Sequence, residues 1–197
     1  MKEIIIATKN KGKAKEFIDF FAAYGIKALS LLDLSEEIPD IEETGTTFEE
    51  NAALKAEQIS ALLHVPVLAD DSGLEIDALN GEPGIYSARY AGETKDDQAN
   101  MDMALTKLSG VPLEKRTARF VCVLAVATPE EKTILHRGTC EGSIATEPKG
   151  EHGFGYDPIF IPRNAEKTMA ELTPVEKSKI SHRKNAIMQL DDWIKTL

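Results

Sequence analysis

The chain has 197 residues, 42% of them apolar and 28% charged, and a chain of that length buries roughly 70% of its unfolded surface; this fits one domain, or two small lobes sharing a core, and excludes disordered, collagenous and membrane-spanning classes. Its 23 Lys and Arg against 33 Asp and Glu give a net charge of −10, so attraction to a phosphate backbone is a poor basis for function and no nucleic acid is expected as partner. The opening MKEIIIATKNKGK has one short apolar run followed by lysines, without the apolar core and cleavage site of a secretory signal; the expected residence is the cytoplasm, with no membrane partner.

Glu3 to Ala7 reads as a buried strand, and Lys13 to Tyr24 as a helix with Phe17, Phe20, Phe21 and Tyr24 on one face, stopped by Gly25. A second helix opens at Thr47, whose side chain can cap the turn while Glu50 reaches back, and runs through Leu63 to end before Pro66. Pro66 to Asp71 is the next strand, Glu75 to Gly84 reads as turns, and Thr94 to Leu108 as a third helix. Arg116 to Ala127 is a long strand, Pro129 to Glu131 a turn, and Lys132 to Ala145 the antiparallel return. Thr173-Pro174-Val175-Glu176 starts a last helix by capping box and first-turn proline. At 100° per residue Arg183 falls in phase with Ile180, Ile187, Leu190 and Ile194, provided the helix is unbroken past Ser181. The fold class is therefore α/β, three-layered, with a mixed central sheet flanked by helices. No linker rich in Gly, Pro and Ser parts two independent domains.

Cys122 and Cys140 lie in strands without a Cys-x-x-Cys spacing, and the four histidines form no i, i+4 pair, so a zinc site lacks its usual ligands while a hard cation held by carboxylates stays open. The charges are segregated. From Asp33 to Glu50 there are eight acids and no Lys or Arg, whereas Met1 to Lys15 carries five lysines against one acid. One block suits cations and the other anions, although a charge run taken alone is usually the mark of a solvated face.

Four stretches can carry chemistry. The loop Thr8-Lys9-Asn10-Lys11-Gly12-Lys13 joins a strand to a helix start, where backbone N–H groups and the helix dipole favour a phosphate. It is not a Walker loop, since the first glycine is missing and Ala14 stands where Ser or Thr would bind magnesium. Ala69-Asp70-Asp71-Ser72-Gly73 reads as a strand end carrying two carboxylates. If the strands around Ala7 and Val67 are parallel, both end at one sheet edge, the edge where open α/β sheets bind ligands; an Asx turn with Ser72 and Gly73 is the plainer reading. Glu43 can share a divalent ion with one of those acids. In Gly150 to Pro158, glycines bracket Phe154 and Tyr156, whose faces suit stacking on a planar base or anchoring a hairpin turn.

In order along nearly the whole chain, TKNKGK, FEENAALKA, LADDSGL, GIYSARY, GFGYDPIF and EKSKISHR resemble the inosine/xanthosine triphosphate pyrophosphatase family, which clears aberrant purine nucleotides from the nucleotide pool. The resemblance implies hydrolysis of ITP, dITP and XTP to monophosphate and pyrophosphate, dependence on Mg²⁺, and a homodimer of elongated subunits, each a single domain of two lobes around a cleft. Carried onto matching positions, it implies that Thr8, Lys9, Asn10, Lys11, Gly12 and Lys13 hold the triphosphate and that Asp71 is general base and metal ligand. It further implies that Ser72 touches substrate, that Glu43 is the other metal ligand with Lys55 nearby, and that Phe154, Gly155, Tyr156, Asp157, Lys177, His182 and Arg183 build the base pocket. Rivals fit less well. A Maf-like pyrophosphatase would show a serine and arginine pattern in the first loop, a dehalogenase-type phosphatase would need Asp-x-Asp, and a non-catalytic sensor leaves Glu43 plus Asp71 unexplained.

Overall fold

The computed structural model describes residues 3–35 and 38–195. Six strands, β1 (Glu3–Ile6), β2 (Lys27–Ser30), β3 (Val67–Ile76), β4 (Thr117–Ala127), β5 (Ile134–Ile144) and β6 (Phe160–Pro162), form one sheet in the order β2-β1-β3-β4-β5-β6. β1 is parallel to β2, with Ile4 opposite Ala28, and to β3, with Ile5 opposite Val67. β5 and β6 are antiparallel, so the sheet is mixed. The helices are α1 (Lys11–Ala22), α2 (Phe48–Leu63), α3 (Asp97–Lys107), α4 (Pro174–Ile180), α5 (His182–Ile187) and α6 (Asp191–Ile194). The chain divides into two compact units: the first takes the described residues up to Asp71, Val123–Arg137 and the described residues from Ile187, the second Ser72–Cys122 and Gly138–Ala186. β3, β4 and β5 each contribute residues to both.

In the first unit β1 is apolar on both faces, with Ile4, Ile5 and Ile6 all buried, the composition an internal parallel strand requires. Asn10 caps α1 by accepting from Gly12 N and Lys13 N, and Ala14, Phe17 and Phe21 form its buried stripe. The cap moves the helix start to Lys11, two residues before the position the apolar pattern gives, so Gly12 lies inside the first turn. Thr47 caps α2 as expected. Glu50, however, reaches past the cap to accept from Thr46 N and Thr46 Oγ1. β1 leads through α1 to β2 on one side, and β2 leads through α2 to β3 on the other. The carboxyl end of β1 is thus a topological switch point, where open α/β sheets gather their ligands.

Two expectations fail on β3 and α4. β3 does not stop at Asp71 but continues through Ile76, which places Asp70 and Asp71 in mid-strand and removes the Asx turn at Ser72 and Gly73. Leu74 and Ile76 are fully buried; burying them outweighs the local turn preference of Asp-Ser-Gly. The last helix is broken at Ser181, whose φ of −65° and ψ of 145° are extended, so the phase linking Arg183 to Ile180 does not exist. The short strands β2 and β6 carry too few residues to show a period.

The core of the second unit gathers Leu74, Ile76, Met101, Ala104, Leu108, Phe120, Tyr156 and Phe160, with the Phe120 and Phe160 rings 4.4 Å apart. Arg116, 7% exposed, donates to the carbonyls of Leu108, Val111 and Ala145. Leu108 is the C-cap of α3, so a buried guanidinium meets the negative end of a helix dipole there.

Candidate active site

In the first unit the switch point brings together the lysine-rich loop and the acids. Ala7 N donates to Leu68 O at 2.7 Å, which fixes the end of β1 beside β3 just before Asp70. Lys13 Nζ then reaches Asp70 Oδ2 at 2.7 Å, and Asp70 is 2% exposed. Lys55, about two turns into α2, donates to Glu43 Oε1 at 2.8 Å and to the Asp70 carbonyl at 2.6 Å. Asp71 is buried at 6% exposure. Its carboxyl is pushed up to about 6, first by burial and then by Glu43 and Asp70, against the downward pull of Lys55 and Lys13. Burial alone would lower the Lys55 ammonium, but Asp70, Asp71 and Glu43 outweigh it and hold that group above the ordinary lysine value.

Glu43, Asp70 and Asp71 set against Lys13 and Lys55 leave an excess of negative charge in a buried place, served by oxygen donors alone. That donor chemistry fits a hard divalent cation, with Glu43 and Asp71 as the carboxylates able to hold it. Among the described residues no three His, Cys, Asp or Glu side chains form a ready-made metal cage.

The phosphate loop differs from an open cradle. Asn10 Oδ1 already accepts from Gly12 N and Lys13 N, which takes two of the helix-start N–H groups. Thr8 Oγ1 accepts from Asn10 N at 3.1 Å and keeps its own proton to donate. Lys9 Nζ is paired with Asp40 and the Ile38 carbonyl, and Lys11 is exposed at the first turn. The donors the loop leaves open are therefore side-chain ones and the positive end of α1 more than backbone N–H groups.

The second unit holds the aromatic loop on irregular backbone. Gly153 and Gly155 lie at φ +81° and +63°, in the left-handed region that favours glycine. A Cβ on Gly153 would collide with Asp157 Oδ2 and stand 3.1 Å from Lys177 Nζ. Asp157 Oδ2 accepts from Phe154 N and from Lys177 Nζ. The Phe154 ring, 40% exposed, lies 4.9 Å from Lys177 Nζ and 5.6 Å from the Arg183 guanidinium. His182 stacks on Phe120 with ring centroids 5.0 Å apart. Arg183, 2% exposed, can only donate to His182 Nε2 at 3.2 Å, so the imidazole accepts there and carries any single proton on Nδ1. Tyr156 belongs to the core: its hydroxyl donates to the Ser87 carbonyl at 2.7 Å, and burial raises its pKa. Ser72 is half-buried in mid-β3.

Three supporting residues received no role from the sequence. Asp97, the first residue of α3, accepts from Gly155 N at 2.7 Å. Ser87 accepts from Leu74 N and donates to the Gly84 carbonyl. Asn51 accepts from Gly45 N at 2.8 Å. Each acts on backbone far away in sequence or across a turn, so although Asn51 lies in FEENAALKA and Ser87 in GIYSARY, the motifs alone do not assign these contacts.

Comparison with known proteins agrees over the full length. The chain is 64% identical over 197 residues to a dITP/XTP pyrophosphatase of Oceanobacillus iheyensis, covering 100% of both chains. It is 57% identical over 192 residues to one of Bacillus subtilis, covering 96% of each. Among solved structures, the Ham1 protein of Staphylococcus aureus superposes with a TM-score of 0.90 at 48% identity and 99% coverage of both chains. A HAM1 protein from Coxiella burnetii gives 0.91 at 41% identity, with 100% of each covered. The Ham1 family model matches residues 4–193, and the chain belongs to that family.

Proposed function

We propose that this protein hydrolyses dITP, XTP and ITP to the nucleoside monophosphate and pyrophosphate, with Mg²⁺ as cofactor and as a homodimer in the cytoplasm. The observation that carries the reading is the buried Asp71 carboxylate set among Glu43, Asp70, Lys13 and Lys55, its proton affinity raised to about 6. A carboxylate so tuned is mostly ionised at neutral pH yet basic enough to take a proton from water. The names of the relatives support the substrate class.

In this reading the first unit handles the triphosphate. Thr8, Lys9, Asn10, Lys11, Gly12 and Lys13 bind and orient its phosphates, and Lys55 holds Glu43 in place. Asp71 removes a proton from water, and the hydroxide oxygen attacks the α-phosphorus in line as the bond to the bridging oxygen of pyrophosphate breaks. Magnesium bound by Glu43 and Asp71 would supply charge neutralisation at the phosphate oxygens. Ser72, the residue after Asp71, donates to substrate.

The second unit handles the base. Phe154 offers a partly exposed ring for stacking, while Gly155, Tyr156 and Asp157 set the loop that carries it. Lys177, His182 and Arg183 line the pocket. Arg183 can only donate, so it suits the 6-keto acceptor of hypoxanthine and xanthine and leaves donor against donor with adenine.

A turnover panel of dITP, XTP, dGTP and dATP with Mg²⁺ tests this, with products resolved by ion-exchange chromatography. Pyrophosphate and monophosphate from dITP and XTP, with little from dATP, are expected. Orthophosphate as first product, or binding without turnover, would overturn it.

A further inference from the structure

The segment that carries Glu43 reaches α2 through a contact that none of the roles above uses. Asn51 is fully buried in the first turns of α2, one helical turn before Lys55 and on the same face. Its Oδ1 accepts from Gly45 N at 2.8 Å, two residues past Glu43. The approach is close enough to demand glycine: a Cβ on Gly45 would stand 2.6 Å from Asn51 Oδ1 and 2.7 Å from Glu50 Cβ. Thr46 N on Glu50 and Glu50 N on Thr47 continue the same seam. The other half of the amide, Nδ2, is buried with no acceptor among the described residues. A half-satisfied buried amide calls for an explanation beyond packing. An aspartate would grip Gly45 N without an orphaned donor, but it would set a further carboxylate one turn from Lys55, competing for the ammonium that holds Glu43.

We infer that Asn51 is a positioning residue for the divalent cation: through the Gly45 amide, its neutral carbonyl oxygen sets where the Glu43 carboxylate stands. The inference rests on the reading of Glu43 as a metal ligand, and its test keeps the two apart. Mn²⁺ is the probe, its binding to the whole chain followed by electron paramagnetic resonance without turnover. Asn51→Ala and Gly45→Ala break the same contact from opposite sides. Each is expected to weaken Mn²⁺ binding about tenfold, the usual effect of removing an outer partner of a metal ligand. The double variant is expected to bind no worse than the weaker single variant, because one contact cannot be lost twice. Unaltered Mn²⁺ binding by either variant, shown folded by circular dichroism, would overturn the inference even if its melting temperature falls. Fully additive losses would overturn it too. Glu43→Gln separates the premises. If it binds Mn²⁺ as the parent chain does, the metal reading fails and this inference with it; if it loses binding while Asn51→Ala keeps it, only the inference fails.

Discussion

The two units solve the problem of placing a polar group in opposite ways. In the first, charged side chains from α1, α2 and β3, with Glu43 from the segment just before α2, compensate one another, as Lys13 does Asp70 and Lys55 does Glu43. In the second, the aromatic loop is irregular backbone with positive-φ glycines, held by carboxylates that accept from its N–H groups, Asp157 from Phe154 and Asp97 from Gly155. The first unit is therefore sensitive to charge and the second to shape. Substitutions in the first should move kcat and the pH dependence of stability, and substitutions in the second should move KM.

The largest effect is expected at Asp71. Asp71→Asn removes the proton acceptor and should lower kcat for dITP by roughly 10²–10⁴. The same change should stabilise the metal-free protein. In the fold the carboxyl titrates at about 6 instead of its ordinary 3.8, so the folded state binds the proton more tightly. Ionised Asp71 thus opposes folding above pH 6, and that penalty disappears as the pH falls below about 4. The penalty is on the order of 2–3 kcal/mol at pH 7. Urea unfolding in EDTA should show Asp71→Asn more stable than the parent at pH 7 and equal to it near pH 4. An equal stability at both values would mean that burial does not strain this carboxylate.

Lys55→Met is the converse. It removes the ammonium that lowers Asp71 and engages Glu43, leaving buried acids uncompensated. We expect a loss of about 3 kcal/mol at pH 7, as for other broken buried pairs. Part of the loss should be recovered on acidification, because protonating Asp71 removes one of the repelling charges. Loss of the same size at every pH would point to packing of the lysine stem instead.

How much of this was legible in the sequence follows the same division. The strand, loop and helix from Glu3 onward could be read because apolar runs and helical stripes are local signals, and the Thr8 to Lys13 loop inherited its position from them. The parallel pairing of β1 with β3 entered the sequence reading only as a condition; once it holds, both strands end at one sheet edge, and the meeting of Lys13 with the Asp70-Asp71 pair follows. What could not be read were the places where distant packing overrides local preference. Asp-Ser-Gly has the composition of a turn and lies in mid-strand because Leu74 and Ile76 are drawn into a core made by residues up to 95 positions later, such as Met169. The break at Ser181 is likewise silent, since Lys179-Ile180-Ser181-His182 has no proline or glycine to mark it. Asn10 was legible as a polar loop residue but not as a cap, although Asn before a helix is a common cap, because the apolar stripe alone began the helix two residues late.

Gly153→Ala probes shape. At φ +81° a side chain strains the backbone, and here its Cβ would also meet the Asp157 carboxylate beneath Phe154. Backbone strain of this kind is worth about 1–3 kcal/mol. If it is expressed as displacement of Phe154, KM for dITP should rise about tenfold while Mn²⁺ binding and the pH dependence of stability stay those of the parent. A fall in kcat with unchanged KM would break the proposed division of labour.

The smallest effect is expected at Tyr156, and it decides between two roles for an aromatic residue in a glycine-rich loop. Tyr156 is 5% exposed, packed in the core of the second unit, and its hydroxyl is engaged by the Ser87 carbonyl. Tyr156→Phe keeps the ring and its packing and deletes that one hydrogen bond, so the expected loss of stability is about 1 kcal/mol. KM for dITP and XTP should change less than twofold, because the hydroxyl ties the loop to the segment around Ser87 and does not address the base. Phe154, with its ring partly exposed between Lys177 and Arg183, is the aromatic that should answer to the base. Phe154→Leu ought then to raise KM well beyond Tyr156→Phe while costing less stability. If the order of the two KM effects were reversed, the exposed ring would be the anchor and the buried one the reader, which the hydrogen bond to Ser87 leaves Tyr156 no freedom to be.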